Sequence, residues 1–281
     1  MNPAFDSYDF VTPYGVTLVI ALGVAWIFAR RNARHYGIDS SHIDLVLPLS
    51  VLLGIGGAIL LSADSAIRLI IVIGCGTMAV LAYSFLSSVS FLRLVDTLAL
   101  PTLTIIVIQR VGCLLAGCCW GDISVSVELL ADATVASQLQ TVPWLTGDHV
   151  VTALVFPPGS PAYEQHLLLG LIPPGAEASL PVHPVQLYES VAVILALVAL
   201  SRRPAGSCRP GGLALFSTGT YAVLRFFTEF LRADSEIVVS GLSLVQLQCL
   251  AILLGVGIIL GGSRLLESRM IESRPPKIAG N

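Results

Sequence analysis

The chain has 281 residues, of which 55% are apolar and 12% are charged, and its net charge is −3. Soluble domains carry about 25% charged residues, so this composition argues against an ordinary soluble domain, and the small net charge gives no indication of nucleic-acid binding. Several apolar runs reach about 20 residues, the length that crosses a bilayer. The sequence therefore predicts an all-α polytopic membrane protein.

Seven apolar segments are predicted to span the membrane, with a long connection between the fourth and the fifth. The spans lie at about residues 14–29, 45–62, 69–91, 97–119, 186–201, 212–231 and 243–262. In the connection, VSVELL and VVTALVF alternate as short strands do, and FPPGSP and IPPGAE are typical of turns. We expect one integral membrane domain over 1–281, with an external head or lid at about 121–184 and a cytoplasmic tail at about 263–281.

Basic residues concentrate on one side of the predicted spans. They are Arg30, Arg31, Arg34, Arg93, Arg202, Arg203, Arg209, Arg264, Arg269, Arg274 and Lys277. The other side offers Arg68 and almost nothing else basic. Because positive loops stay in the cytoplasm, we predict an external N-terminus and a cytoplasmic C-terminus. The acidic start, MNPAFDSYDF, lacks the basic region of a signal peptide, so the first span is expected to remain.

Ionisable residues also occur inside two predicted spans. Arg110 lies in the fourth, and Arg225, Glu229 and Arg232 lie in the sixth, spaced so that a helix presents all three on one face. Each costs about 2.5–3.5 kcal/mol on insertion scales, and such groups usually face a partner or a cavity. One interpretation is a structural ion pair between Arg225 and Glu229. The other is a site for an anion such as a phospholipid headgroup, because arginine binds phosphate through paired hydrogen bonds.

Polar residues recur where the long connection re-enters the membrane, in HPVQLYES. Pro184 suits the first turn of a helix, and Gln186, Tyr188 and Glu189 follow it into or beside the bundle. His183 precedes this helix. It either anchors the helix start or takes part in catalysis, and the sequence leaves both open.

Three of the six cysteines cluster in RVGCLLAGCCWG, residues 110–121, as Cys113, Cys118 and Cys119. Cys75 in the third span is expected to approach them. The spacing is neither that of a zinc ribbon nor C-x-x-C, so no metal or cofactor is assigned. Adjacent Cys118 and Cys119 point in different directions on a helix, so they are expected to be poor partners for each other. Packing as small residues, a disulfide from Cys113 to Cys118 or Cys119, and a metal or catalytic role all stay open.

These motifs, in this order, resemble the prolipoprotein diacylglyceryl transferase family. The family's glycine-rich motif is matched by Arg110, Gly112, Gly117 and Gly121, its His-Pro-x-Gln-Leu-Tyr-Glu segment by HPVQLYES, and its sixth-span motif by YAVLRFFTEFLR. Tyr14 with Gly15 resembles its Tyr-Gly near the first span. The resemblance implies seven spans in a bacterial inner membrane, with phosphatidylglycerol, a lipobox peptide and the lipid bilayer as partners and no cofactor.

The resemblance also implies roles for individual residues. Catalytic roles fall on Arg110, Arg225, Glu229, His183 and Glu189. Headgroup binding falls on Arg110, Gly112, Gly117, Gly121, Arg225, Arg232, Tyr14, Gln186 and Tyr188. The arginines hold the phosphate, and His183, Glu189 or water takes the proton of the acceptor thiol.

Two departures from the family pattern stand beside these matches. Cys113, Ala116 and Cys118 replace the asparagines and glutamate of the glycine-rich motif. The family's His-Gly-Gly near the third span has no counterpart, since Gly74, Cys75 and Gly76 occur there without a histidine. The leading hypothesis is diacylglyceryl transfer from phosphatidylglycerol to a lipobox cysteine. The alternatives are a divergent member that binds phospholipid without this catalysis or uses another acceptor, and a thiol-redox membrane protein.

Overall fold

The computed structural model describes residues 13–61, 65–123, 153–203, 209–233, 235 and 237–272. Within them the chain is mostly helical. The helices are α1 (Pro13–Ala33), α2 (Ser40–Leu61), α3 (Ser65–Ser87), α4 (Phe91–Ala116), α5 (Pro161–Leu168), α6 (Val185–Ser201), α7 (Gly212–Glu229) and α8 (Leu244–Glu272), with a 3₁₀ turn at Arg34–Tyr36; the strands are β1 (Ile237–Val239) and β2 (Leu242–Ser243).

Small side chains bring α1 against α4 at the centre of the bundle. Ala21, Ala25, Ala29 and Ala33 recur every fourth residue on α1, and all four are fully buried. Without bulky side chains between them, membrane helices approach closely and gain van der Waals contact. Gly112 of α4 continues this contact, because a side chain there would collide with Thr17 Oγ1.

The buried carboxylate of Asp96 joins α4 to the start of α7. Its oxygens accept hydrogen bonds from the backbone N–H groups of Gly211, at 2.7 Å, and Ala214, at 2.8 Å. The first N–H groups of a helix have no partner within the helix, and a carboxylate both satisfies them and complements the helix dipole. This contact fixes the position of the helix that carries Arg225.

Five helices are long and apolar enough to cross a membrane among the residues that the structure describes. They are Pro13–Tyr36, Ser40–Leu61, Ile70–Ser87, Phe91–Ala116 and Leu244–Gly262. The predicted fifth span is an apolar helix of 17 residues, α6, and the predicted sixth is α7, of 18 residues. Large apolar side chains such as Leu60, Phe85 and Leu86 are at least 79% exposed, as expected of helices that face lipid.

The segment between α4 and α6, predicted above to form the head, has its own apolar core in its described part, 121–123 and 153–184. Trp120 packs there with Phe156, Ala162 and Val182, and Val182 forms single antiparallel bridges with both Ile123 and Leu154. The FPPGSP and IPPGAE turns are confirmed by hydrogen bonds from the N–H of Ser160 and of Ala176 to the carbonyl three residues before. VSVELL lies outside the described residues.

Three elements of the fold were not predicted from the sequence. Helix α5 begins after Ser160, whose Oγ accepts a hydrogen bond from the N–H of Tyr163, and the Ser-Pro pair there is a helix-start signal. β1 and β2 form a hairpin through Ser240 and Gly241, which both have positive φ, as a type I′ turn requires. Helix α8 continues to Glu272, so the predicted tail begins as helix.

Acidification should loosen the head through His166. This side chain is buried, and its Nδ1 accepts a hydrogen bond from the N–H of Leu180 at 3.1 Å. Burial lowers the pKa of His166, so the unfolded chain, with a histidine pKa of about 6.5, binds a proton first as the pH falls. The stabilisation is complete above about pH 6.5 and decreases below it.

We therefore expect faster hydrogen–deuterium exchange of the Leu180 amide at pH 5.5 than at pH 7.5, after correction for intrinsic exchange. The His166→Gln variant should lose this pH dependence. An equal dependence in His166→Gln would show that another group is responsible.

Candidate active site

Arg110, near the end of α4, forms an ion pair with Glu189 of α6. Arg110 Nη2 lies 2.7 Å from Glu189 Oε1, and the Glu189 side chain is only 1% exposed. Tyr221 of α7 donates a hydrogen bond to the same oxygen at 3.0 Å. Three helices therefore meet at one carboxylate, which holds the Arg110 guanidinium in place.

Glu229, the last residue of α7, gathers a second charged group. Its Oε2 lies 2.6 Å from Arg225 Nη2 and 3.9 Å from Arg232 Nε. Its Oε1 accepts hydrogen bonds from the hydroxyls of Ser235, at 2.8 Å, and Ser243, at 2.9 Å. Because α7 ends at Glu229, Arg232 reaches this carboxylate from a turn, not from the continuous helix that the sequence spacing predicted.

The two charged groups share one region of the bundle. Tyr221 interacts electrostatically with Arg110 and Arg225 as well as with Glu189. Within the set of Arg110, Arg225, Arg232, Glu189 and Glu229, three guanidinium groups face two carboxylates, which leaves one positive charge.

Arg225 also keeps hydrogen-bonding capacity. Its side chain is buried, yet Nη1 has no hydrogen-bond partner among the described residues. Buried donors are nearly always satisfied in folded proteins, so this nitrogen suits an anionic ligand.

The chain from Cys118 to Ile123 links the ends of α4, α6 and α7. Gly121 N–H donates to the carbonyl of His183 at 2.9 Å, and Asp122 N–H donates to that of Leu231 at 3.1 Å. A side chain on Gly121 would lie 2.7 Å from the His183 carbonyl oxygen and 2.6 Å from Val185 Cγ2. Glycine at this position therefore permits the close approach of the two chains.

The predicted residues of HPVQLYES take different positions around this link. His183 Nδ1 lies 3.4 Å from the Tyr188 hydroxyl. Gln186 Nε2 donates to the carbonyl of Cys118 at 2.6 Å, and Glu189 pairs with Arg110. The segment therefore contacts both the cysteine stretch and the charged group.

The remaining predicted residues surround the end of α4. Gly117, at φ +65°, ends α4, and a side chain there would meet Ser160 and Phe156. Tyr14, in the first turn of α1, interacts electrostatically with Cys113, Cys118 and Cys119. Tyr221, Ser235 and Ser243 were missed by the sequence analysis, although Tyr221 lies four residues before Arg225, on the same helix face.

The three clustered cysteines converge, against the prediction that Cys118 and Cys119 point apart. The Sγ atoms of Cys113, Cys118 and Cys119 all lie within 4.8 Å of one another. The prediction was wrong because it assumed a helix; α4 ends at Ala116, and Cys119 has φ +61°. All three are free thiols, so the structure has no disulfide here.

Cys75 is not part of this cluster. On α3 its Sγ lies 2.8 Å from the place of a Cβ at Gly57 of α2. Its close contact is therefore with α2.

The sequence of residues 71–261 matches the family model of prolipoprotein diacylglyceryl transferase. The match covers more than half of the chain and includes Arg110, Glu189, Arg225, Glu229 and Arg232. The chain belongs to the prolipoprotein diacylglyceryl transferase family. No curated protein matches the chain. The predicted family resemblance is thus confirmed.

The prolipoprotein diacylglyceryl transferase family is a family of transferases that act in lipoprotein biosynthesis, so a transferase is the general class of this chain. The apolar helices agree with a membrane protein. The matched region includes both places where the sequence departs from the family pattern, the cysteines after Arg110 and the Gly74–Cys75–Gly76 stretch without histidine.

Proposed function

We propose that this protein transfers the diacylglyceryl group of phosphatidylglycerol to the cysteine thiol of a lipobox peptide. The observation that carries the proposal is the largely buried group of three arginines and two glutamates, which keeps one positive charge and an Arg225 Nη1 with no hydrogen-bond partner among the described residues. A phospholipid phosphate is the anion most available at a membrane protein's surface, and the family membership favours the same substrate class.

In the proposed reaction the acceptor sulfur attacks the glycerol carbon that bears the phosphate. The S–C bond forms, the C–O bond breaks, and glycerol phosphate leaves with the electron pair. Arg110 and Arg225 hold the phosphate and stabilise its growing charge, which is the largest electrostatic contribution available in such a site. Glu189 and Glu229 position the two guanidinium groups. His183, whose ring lies beside the Tyr188 hydroxyl and whose carbonyl accepts a hydrogen bond from Gly121, is a candidate for taking the thiol proton.

The proposed orientation places seven helices, α1–α4 and α6–α8, across a bacterial inner membrane. The uneven distribution of basic residues supports an external N-terminus and a cytoplasmic C-terminus. In this orientation the end of α4, the start of α6 and the head face outward, where lipobox peptides emerge. The glycines at positions 112, 117 and 121 contribute to the site by close packing, because protein atoms fill the space that a side chain at each would need.

A direct assay tests this function. Purified protein in phosphatidylglycerol nanodiscs is incubated with a fluorescent lipobox peptide, and the mass of the peptide is followed. We expect the mass of one diacylglyceryl group to be added to the cysteine peptide and none to the matched serine peptide. Nanodiscs of phosphatidylcholine should support no transfer.

The absence of a histidine near Gly74 and Gly76 favours a second candidate, a family member that binds phospholipid without this reaction or uses another acceptor. This candidate predicts phosphatidylglycerol binding that depends on Arg225, without a change in peptide mass. Binding without transfer in the same nanodiscs would overturn the leading proposal in its favour.

A further inference from the structure

The three cysteines after Arg110 form a cluster that diacylglyceryl transfer as described above does not use. Their sulfur atoms converge within 4.8 Å of one another. This convergence depends on two departures from helical backbone, at Gly117 (φ +65°) and, two residues later, at Cys119 (φ +61°). A left-handed residue other than glycine, asparagine or aspartate costs about 1–2 kcal/mol. Simple packing of small side chains needs no such strain at Cys119.

The sulfur positions suit a tetrahedral metal ion. With Zn–S bonds of about 2.3 Å, sulfur atoms of one tetrahedron lie about 3.8 Å apart, so the pairs here need to close by about 1 Å at most. Cysteine sulfur is a ligand that zinc prefers. Three protein ligands also leave the fourth position open, which distinguishes a catalytic zinc site from a structural one.

The charges around the cluster agree with bound thiolates. Cys119 interacts electrostatically with Arg232 and Arg110, and Arg110 also interacts with Cys113. Three thiolates with one Zn²⁺ carry a net charge of −1, so the guanidinium groups of Arg110 and Arg232 lie next to an anion, while Arg225 Nη1 stays available to the phosphate. The cluster therefore lies beside the arginines proposed to hold the phosphate, where an acceptor thiol is needed.

We propose that Cys113, Cys118 and Cys119 bind one Zn²⁺ ion whose open position takes the acceptor cysteine thiol. This inference rests on the proposed function. It gives the acceptor thiol a means of deprotonation that does not need the family's missing histidine. Zinc deprotonates a coordinated thiol, and the proton passes to solvent. The bound sulfur then attacks the glycerol carbon, the S–C bond forms, and glycerol phosphate leaves with the electrons of the C–O bond. The neutral thioether product binds zinc weakly and is released.

Metal content tests the site without reference to activity. Full-length protein in nanodiscs is stripped with a chelator, titrated with Zn²⁺ against a competing dye, and analysed by mass spectrometry for metals. We expect one tightly bound Zn²⁺ per chain. The control Cys75→Ser/Cys249→Ser changes two cysteines outside the cluster, on α3 and α8, and should retain it. The triple serine variant of the cluster should lose it. If the triple variant does not fold, Cys118→Ala, which keeps two ligands, should bind zinc at least about 100-fold more weakly, because losing a ligand costs more than losing an outer-shell partner.

Cobalt then tests the open position. The Co²⁺-loaded protein should show thiolate-to-metal absorption that changes when the cysteine lipobox peptide is added and stays the same with the serine peptide. Zinc binding no stronger than in the triple variant would overturn the proposal. An unchanged cobalt spectrum with the cysteine peptide would do the same.

The transfer assay separates this inference from the function on which it rests. Full transfer by protein verified to be metal-free would overturn the zinc site and leave diacylglyceryl transfer standing. Zinc binding with the expected spectral change, but with no transfer from phosphatidylglycerol, would support the thiol-binding zinc site and contradict the proposed donor reaction. Loss of transfer on stripping, with recovery on adding Zn²⁺, supports both.

Discussion

Replacing Arg110 by lysine should lower the rate of diacylglyceryl transfer by at least about 100-fold, the effect of removing one positioned donor from a charge-stabilising site. Arg110 Nη2 is engaged by Glu189 at 2.7 Å, and the planar guanidinium has further N–H groups for a phosphate. A lysine ammonium keeps the charge but cannot present the paired donors to both partners. Thermal stability should stay close to that of the wild type, because lysine still neutralises Glu189.

Initial rates in phosphatidylglycerol nanodiscs and melting temperatures of the same samples measure both quantities. The matched control is Arg30→Lys, which changes the half-exposed pair with Asp44 at the end of α1 and should leave the rate unchanged. A transfer rate within about threefold of wild type for Arg110→Lys would show that Arg110 does not bind the phosphate. A large fall in melting temperature would make its role structural.

The sequence predicts the charged residues of this site better than it predicts their partners. Arg110, Arg225 and Glu229 stand out because charge in an apolar helix is costly, and the spacing of four correctly pairs Arg225 with Glu229. The pairing of Arg110 with Glu189 joins residues 79 positions apart. No local pattern encodes this contact, because it arises only when α4 packs on α6.

The errors around the cysteines have a local cause. Continuing the predicted fourth span to position 119 placed Cys118 and Cys119 on a helix, where neighbours diverge. Gly117, however, is a helix-ending signal, and α4 does end there. A glycine stop followed by a left-handed residue is what brings the three sulfurs together. The left-handed conformation of Cys119 cannot be predicted, since cysteine has no intrinsic preference for it.

Glu229→Gln should both destabilise the fold and abolish transfer. The Glu229 carboxylate is almost fully buried and faces Arg225 and Arg232, while Ser235 and Ser243 donate to its other oxygen. Glutamine keeps the shape of the side chain but removes its negative charge. Because both carboxylate oxygens face donors, the amide NH₂ group must lie against the arginines or against the serine hydroxyls, where it cannot accept their hydrogen bonds. Loss of one partner from a buried ion pair costs about 3–5 kcal/mol. A clear fall in melting temperature in neutral detergent is the expected result, and Glu164→Gln on the exposed side of α5 is the control.

The response of this variant to lipid distinguishes a structural ion pair from a phosphate site. If Arg225 contacts the headgroup, the phosphate of added phosphatidylglycerol supplies a negative charge that Glu229→Gln lacks. Ligand binding to the folded state alone raises stability, so the lipid should raise the melting temperature of Glu229→Gln more than that of the wild type. Phosphatidylcholine, whose headgroup has no net charge, should give a smaller difference. Equal shifts for the two proteins would mean that the Arg225–Glu229 pair has only a structural role. Arg110 would then be the arginine that binds the phosphate.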